Sequence, residues 1–288
     1  MRIKKSYQLF GFPQQYSIQK CLDVAKQAGY DAIEINVENN GEITIDTPKE
    51  KFVEINKYAK SIGMEVNSIA SSAYWANPIT SNIKERAAKA EKIVMKMIEA
   101  AEYLESKVIL IVPGVVHTDL KDIAPDPERM PYDEVHARAI KKINEYGKIC
   151  MEKNITIGIE NVFWNKFLLS PFDFINFIDE VNMENVKIYF DVGNCIMCGI
   201  PEHWIKMFGK KRICSIHLKD LDINISNFNG FKALLNGSVN WPEVVNSLSA
   251  IEYEGYVTYE GFGSYNFFPE EQVFNSSRAI DKIFGLNK

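Results

Sequence analysis

Short apolar runs alternate with longer amphipathic stretches along almost the whole chain. Runs at Ala32–Val37, Val66–Ala70, Val108–Val112, Ile155–Ile159, Val186–Phe190, Ile213–Ile216 and Tyr256–Tyr259 are rich in Val, Ile, Tyr or Phe. Their length of about five residues suits buried strands rather than helices. A weaker run near Tyr7–Phe12 makes eight. Between the runs, Ala87, Ala90, Val94, Met97, Ala101 and Leu104 form a stripe at spacings of three and four, as do Val135, Ala139, Ile143, Tyr146 and Cys150. Further helices are expected over Ser17–Ala28, Pro48–Ser61, Ser170–Val181, Pro201–Phe208, Trp241–Leu248 and Pro269–Ile283, with Gly29 and Gly63 placed to end two of them.

Strict alternation of eight strands and eight helices predicts parallel βα units. An open doubly wound sheet and a closed (β/α)₈ barrel both satisfy it. No Gly-rich dinucleotide fingerprint follows the first strand, and eight repeats without a long break favour the barrel, with residues 1–288 as one domain.

Composition narrows the class. The 288 residues are 46% hydrophobic and 25% charged, which excludes disorder, collagen and coiled coil. With 33 basic and 38 acidic side chains the net charge is −5, so no sequence-blind grip on nucleic acid is expected. No apolar run approaches a membrane span. Five cysteines, an odd count, suit a reducing cytoplasm, which is the expected location.

Candidate chemistry sits at the strand ends. Glu160, Asp191, His217 and Glu260 directly follow the fifth to eighth runs. In a barrel those ends open onto one face. Residues two back (Gly158, Tyr189, Ser215 and Thr258) share their inward parity, while Ile159, Phe190, Ile216 and Tyr259 point out to the helices. Three carboxylates and one imidazole form a mixed O/N set for one divalent ion, Mn²⁺ foremost, with Mg²⁺, Co²⁺ or Zn²⁺ as alternatives. Three negative charges also need a cation, or mutual repulsion would protonate one carboxyl.

The segments Ile159-Glu160-Asn161, Tyr189-Phe190-Asp191 with Gly193-Asn194, Ile216-His217 with Lys219-Asp220, and Tyr259-Glu260-Gly261 resemble the xylose-isomerase-like TIM-barrel superfamily. Gly29 to Glu34 is similar to that superfamily's second-strand motif. Residues 161–166 and 199–204 look most like its sugar phosphate isomerase/epimerase group. The resemblance implies one divalent ion on Glu160, Asp191, His217 and Glu260, with the two glutamates as an acid/base pair in the 3-epimerase branch. The related AP-endonuclease branch needs extra histidines for a three-zinc cluster. Residues 67–72 and 112–114 supply none, and Asn194 stands where that branch has another. Asn194 also replaces a substrate-contacting His of ketose 3-epimerases, and Lys219 lies near the place of their sugar-binding Arg.

Other positions offer substrate contacts. Trp75, Trp164, Phe262 and Phe268 fall in loops after strands and could wall off a sugar's apolar face. Glu34 and Asn36, inward on the second strand, could bind hydroxyls or buttress other polar groups. His117 follows the fourth strand, on the active face. Residues 261–264 and Lys219 sit where barrels often hold phosphate. Cys195 and Cys198 have CxxC spacing without a second pair, so they are taken as small residues of a turn; His136 and His203 are expected at the surface.

The expected protein is a metal-dependent isomerase or 3-epimerase of a ketose or sugar phosphate, working through an enediolate. It takes a small-molecule sugar and forms a homo-oligomer, dimer or tetramer. A sugar or inosose dehydratase on the same metal, and a non-catalytic sugar-binding barrel, are the competing readings.

Overall fold

The computed structural model describes residues 1–225, 227–261, 265 and 267–286. Eight parallel strands close into a barrel: β1 (Ile3–Gln8), β2 (Ala32–Asn36), β3 (Glu65–Ala70), β4 (Val108–Ile111), β5 (Thr156–Glu160), β6 (Val186–Asp191), β7 (Ile213–Leu218) and, after a two-stranded ribbon of β8 (Asp220–Leu221) and β9 (Phe231–Lys232), β10 (Gly255–Tyr259). Neighbouring barrel strands follow chain order, and β10 pairs with β1 to close the ring.

Helices α1 (Ile18–Gln27), α2 (Lys49–Ser61), α3 (Lys84–Leu104), α4 (Tyr132–Glu152) and α5 (Pro171–Val181) cover the outside. A short α6 (Val192–Cys195) then precedes α7 (Pro201–Arg212), α8 (Trp241–Ala250) and α9 (Glu270–Phe284). Local chemistry sets several ends. Ser17 and Ser170 accept backbone N–H bonds from Lys20 and Asp173, and Pro171 opens α5 with its φ already fixed. Gly29 and Gly63 follow α1 and α2 with φ of 85° and 67°, where a side chain would be strained. None of the helices among the described residues is long and apolar enough to cross a membrane.

The outward strand residues Ile159, Phe190, Ile216 and Tyr259 are buried in the main core between sheet and helices. Inside the barrel the apolar cluster is small, formed by Ala70, Leu110 and Tyr189 with Val108 and Cys214 packed against it. Polar side chains fill much of the rest.

The first strand lies earlier than expected. It spans Ile3–Gln8, and Leu9–Gly11 form a 3₁₀ turn instead of continuing the strand. Two lysines hide it from hydropathy. Lys4 reaches Glu65 near the surface at 2.6 Å, while buried Lys5 satisfies its ammonium on Ser277 and Asp281, both at 2.7 Å. The run Pro201–Phe208 is extended to Arg212, but Gly209 (φ 66°, ψ 170°) interrupts the helix there.

Candidate metal centre

Consecutive strand ends deliver the four ionisable residues side by side. Asp191 is in register with His217 across β6 and β7, and Thr258 of β10 is in register with His217 on the other side. Glu160 pairs with Tyr189, two residues before Asp191. One ligand atom from each of Glu160, Asp191, His217 and Glu260 lies within 4.8 Å of all the others, and all four residues are buried. His217 Nδ1 is the hub, 3.4 Å from Glu160 Oε1, 3.5 Å from Glu260 Oε2 and 3.8 Å from Asp191 Oδ2.

Backbone and loop contacts hold this cage open. Asn161 clasps the end of β6 twice, accepting from Asp191 N at 2.7 Å and donating to Asp191 O at 2.8 Å. Asp191 also caps α6, its Oδ1 accepting from Asn194 N at 2.6 Å. Asn194 then donates to Asn161 O at 3.0 Å and to Glu160 at 3.5 Å. The turn fits only because position 193 lacks a side chain. A Cβ there would stand 2.6 Å from Lys219 O and 2.7 Å from Lys219 Cβ.

The buried Lys219 ammonium is the cage's internal cation. It lies 3.0 Å from Asp191 Oδ2 and pairs with Glu260 Oε2, with Asn194 Oδ1 at 3.3 Å. Ammonium aside, Asp191 Oδ2 and Glu260 Oε2 are buried with no hydrogen bond among the described residues. Three carboxylates converging on one imidazole nitrogen, two of them with such oxygens, form a donor set that fits a hard or borderline divalent ion.

Charge crowding shifts the titrations. Burial pushes Glu160 up, and it pushes Glu260 up to about 8 despite the opposing pull of Lys219 and His217. Burial disfavours the charged form of His217, yet Glu34, Glu260 and Glu160 outweigh it and raise the imidazole well above its usual range. Lys219 is raised as well: burial opposes its charge, but Asp191 and Glu260 overcome that cost.

Beneath the cage, His217 Nε2 meets Glu34 Oε1 at 3.0 Å. Glu34 is fully buried and also accepts from Gln8, Ser68 and Tyr189. Burial works against its ionisation, but His217 and these hydroxyls hold its carboxyl below the usual range. The other inward residue of β2, Asn36, is buried with Oδ1 unpartnered among the described residues.

Of the remaining sequence candidates, Asn194 and Lys219 join the cage directly. Trp164 is buried beside it: its ring packs on Phe163 at 4.3 Å and edge-on to Phe231 at 5.6 Å, and the Lys219 ammonium lies 5.4 Å from the Phe231 ring centroid. Trp75 is half-buried against the core. His117 is tied within its own loop, to Glu128 O at 3.0 Å and Asp119 at 3.3 Å. Phe268 is 72% exposed, and residues 262–264 lie outside the described residues. Cys195 carries a buried free thiol pushed up by burial, whereas the free thiol of Cys198 belongs to an exposed residue. His203 is exposed and His136 half-buried, between Phe167 and Phe177.

Asp220 had no assigned role in the sequence. It is buried behind Lys219, and its carboxylate accepts N–H bonds from Leu235, Gly237, Val239 and the Trp241 indole. It thereby ties residues 235–241 to the start of the β8–β9 ribbon that carries Phe231. The Lys219-Asp220 pair, with side chains to opposite faces, was the available signal.

The family described as xylose isomerase-like TIM barrel matches residues 22–283. An uncharacterized protein of Methanocaldococcus jannaschii is 25% identical over 184 residues, 63% of this chain and 59% of its own length. The chain therefore spans about three-fifths of that curated relative. Among solved structures, D-psicose 3-epimerase with D-tagatose from Clostridium cellulolyticum H10 is similar over 97% of this chain and 98% of its own, with TM-score 0.77 and 15% identity. The IOLI protein with a bound zinc atom is similar over 98% of each chain, with TM-score 0.78 and 17% identity. At these identities the likeness is one of fold.

Proposed function

The chain belongs to the xylose isomerase-like TIM barrel family, and from that membership we propose that it is a divalent-metal-dependent isomerase or 3-epimerase of a ketose or sugar phosphate. The single observation that carries the reading is the buried cage itself, four ligand atoms within 4.8 Å of one another at the ends of four strands. Glu160, Asp191, His217 and Glu260 would hold the ion, Mn²⁺ foremost. When bound, a divalent cation supplies charge stabilisation for an enediolate, worth several kcal/mol.

The protein's own groups would do the proton work. Glu160 and Glu260 come from the two ends of an arc of strands, β5–β6–β7–β10, which supports their carboxyls flanking a substrate from different sides. One takes the proton from the carbon next to the carbonyl and the other returns one. Without metal, burial lifts the Glu260 carboxyl to about 8, a proton that a bound divalent ion would displace. Lys219 and Asn194 would orient substrate oxygens, and Trp164 with Phe231 would keep water from the reacting carbon.

A turnover screen tests this reading. Pentuloses, hexuloses and their phosphates are assayed side by side with Mn²⁺, Mg²⁺, Co²⁺ and Zn²⁺, and after chelation. The expected result is metal-dependent interconversion with no loss of substrate water. Product lighter by one water would instead mark a dehydratase, and binding without turnover a sugar-binding barrel.

A further inference from the structure

Barrel interiors of this kind are usually filled by layers of branched apolar side chains. Here a polar seam runs down the inside. Glu34 is bonded by Gln8, Ser68 and Tyr189. Tyr189 OH lies 3.2 Å from Thr258 Oγ1. Asn67 donates to both Ser68 and Thr258 and accepts from Ser6. All of these residues are buried. Placing a carboxylate at 0% exposure is costly unless it is paired. The seam satisfies one Glu34 oxygen with hydroxyl donors and points the other at His217 Nε2.

We propose that Glu34 is a positioning residue, which fixes the His217 tautomer so that Nδ1, the nitrogen facing Glu160, Asp191 and Glu260, is the one free to bind metal. This rests on the metal reading above. A neutral imidazole carries one N–H and one lone pair. Glu34 can only accept, so it holds the proton on Nε2 and leaves the lone pair on Nδ1. The Tyr189 ring packs edge-on against His217 with centroids 4.5 Å apart. Glu34 does not touch the reacting centre; it acts through His217.

Glu34→Gln probes the arrangement. Two hydroxyl donors, Ser68 and Tyr189, face Oε2, so the carbonyl oxygen takes that place and the NH₂ takes the place of Oε1, toward Nε2 and the Gln8 amide. That favours the tautomer with the proton on Nδ1, closing the metal's place. Binding of Zn²⁺ and Co²⁺ is measured by calorimetry on wild type, Glu34→Gln and Glu34→Asp. The nitrogen of His217 that carries zinc, and the one that keeps its proton, are read by ¹⁵N NMR on the zinc-loaded wild type and zinc-loaded variants.

The expected results are Nε2–H with Nδ1 on zinc in wild type, and metal affinity about 10- to 100-fold weaker in Glu34→Gln, as for other outer partners of metal-bound histidines. Glu34→Asp, which keeps an acceptor, should recover part of the loss. Zinc on Nε2 in wild type, or wild-type affinity in Glu34→Gln, overturns the inference even if both proteins bind metal. The wild-type spectrum decides the matter should the variants fold poorly. Absence of metal binding by wild type would overturn the underlying metal reading, and the inference with it.

Discussion

Lys219 Nζ stands 3.0 Å from Asp191 Oδ2, so the cage already contains a cation tethered to the strand that supplies His217. A divalent ion must share or take that oxygen. Lys219→Met removes a buried positive charge from beside the ligands, and like charges so close repel strongly in a poorly solvated site. Metal affinity without substrate should rise by about tenfold or more, while turnover falls as a substrate-facing group is lost. Calorimetry checks the first and steady-state kinetics the second. Weaker metal binding would mean that Lys219 chiefly arranges the carboxylates.

The raised titrations set a pH signature. Glu260, lifted from 4.5 to about 8, favours the fold fully below about pH 4.5, and that contribution is lost as pH rises through 8. His217, raised well above 6.5, acts in the same sense. The metal-free protein should therefore melt progressively lower as pH rises from about 4.5 to about 8. Metal competes with those same protons, so the rise in Tm on adding metal should grow over that range. Calorimetry in buffers of different ionisation enthalpy should detect proton release on binding at neutral pH.

Asp191→Asn separates ligand from scaffold. Asparagine caps helices as well as aspartate does, so the bond to Asn194 N survives and the fold with it. The charged oxygen facing the cage is lost. Metal binding should fall below detection at micromolar protein while the circular dichroism spectrum stays unchanged.

Gly193→Ala tests the close approach of α6 to β7. Alanine gains about 1 kcal/mol of helix propensity, but its methyl would meet Lys219 backbone at 2.6 Å. Overpacking of this kind costs about 1–3 kcal/mol, so the variant should be less stable in urea and bind metal more weakly.

Much of this was legible in the sequence because period two holds over the last residues of the site-bearing strands, beyond the irregularities at Asn67 and Cys214. Glu160, Asp191, His217 and Glu260 each end an apolar run, and parity alone turns them inward. The first strand was not, since Lys4 and Lys5 break its hydropathy and find their partners in distant Glu65 and Asp281. Nor was the ribbon after β7, which depends on Asp220 meeting N–H groups some 15 or more residues away. Loop residues set the remaining limit: Trp164 and His117 both follow strands, yet only Trp164 is brought to the Lys219 side, because periodicity says nothing of where a loop turns.

Solvent exchange reports most directly on proton transfer between the two glutamates across the metal site. Wild type, Glu160→Gln and Glu260→Gln are loaded with Mn²⁺ and incubated in D₂O with the best ketose from the screen. Deuterium at the carbon beside the carbonyl is then followed by NMR. Wild type should incorporate it only when metal is present, and each variant should be slower by at least about 10²-fold, the low end for a lost general base. Near-normal exchange in both variants, or undiminished exchange after the metal is stripped, would contradict the account.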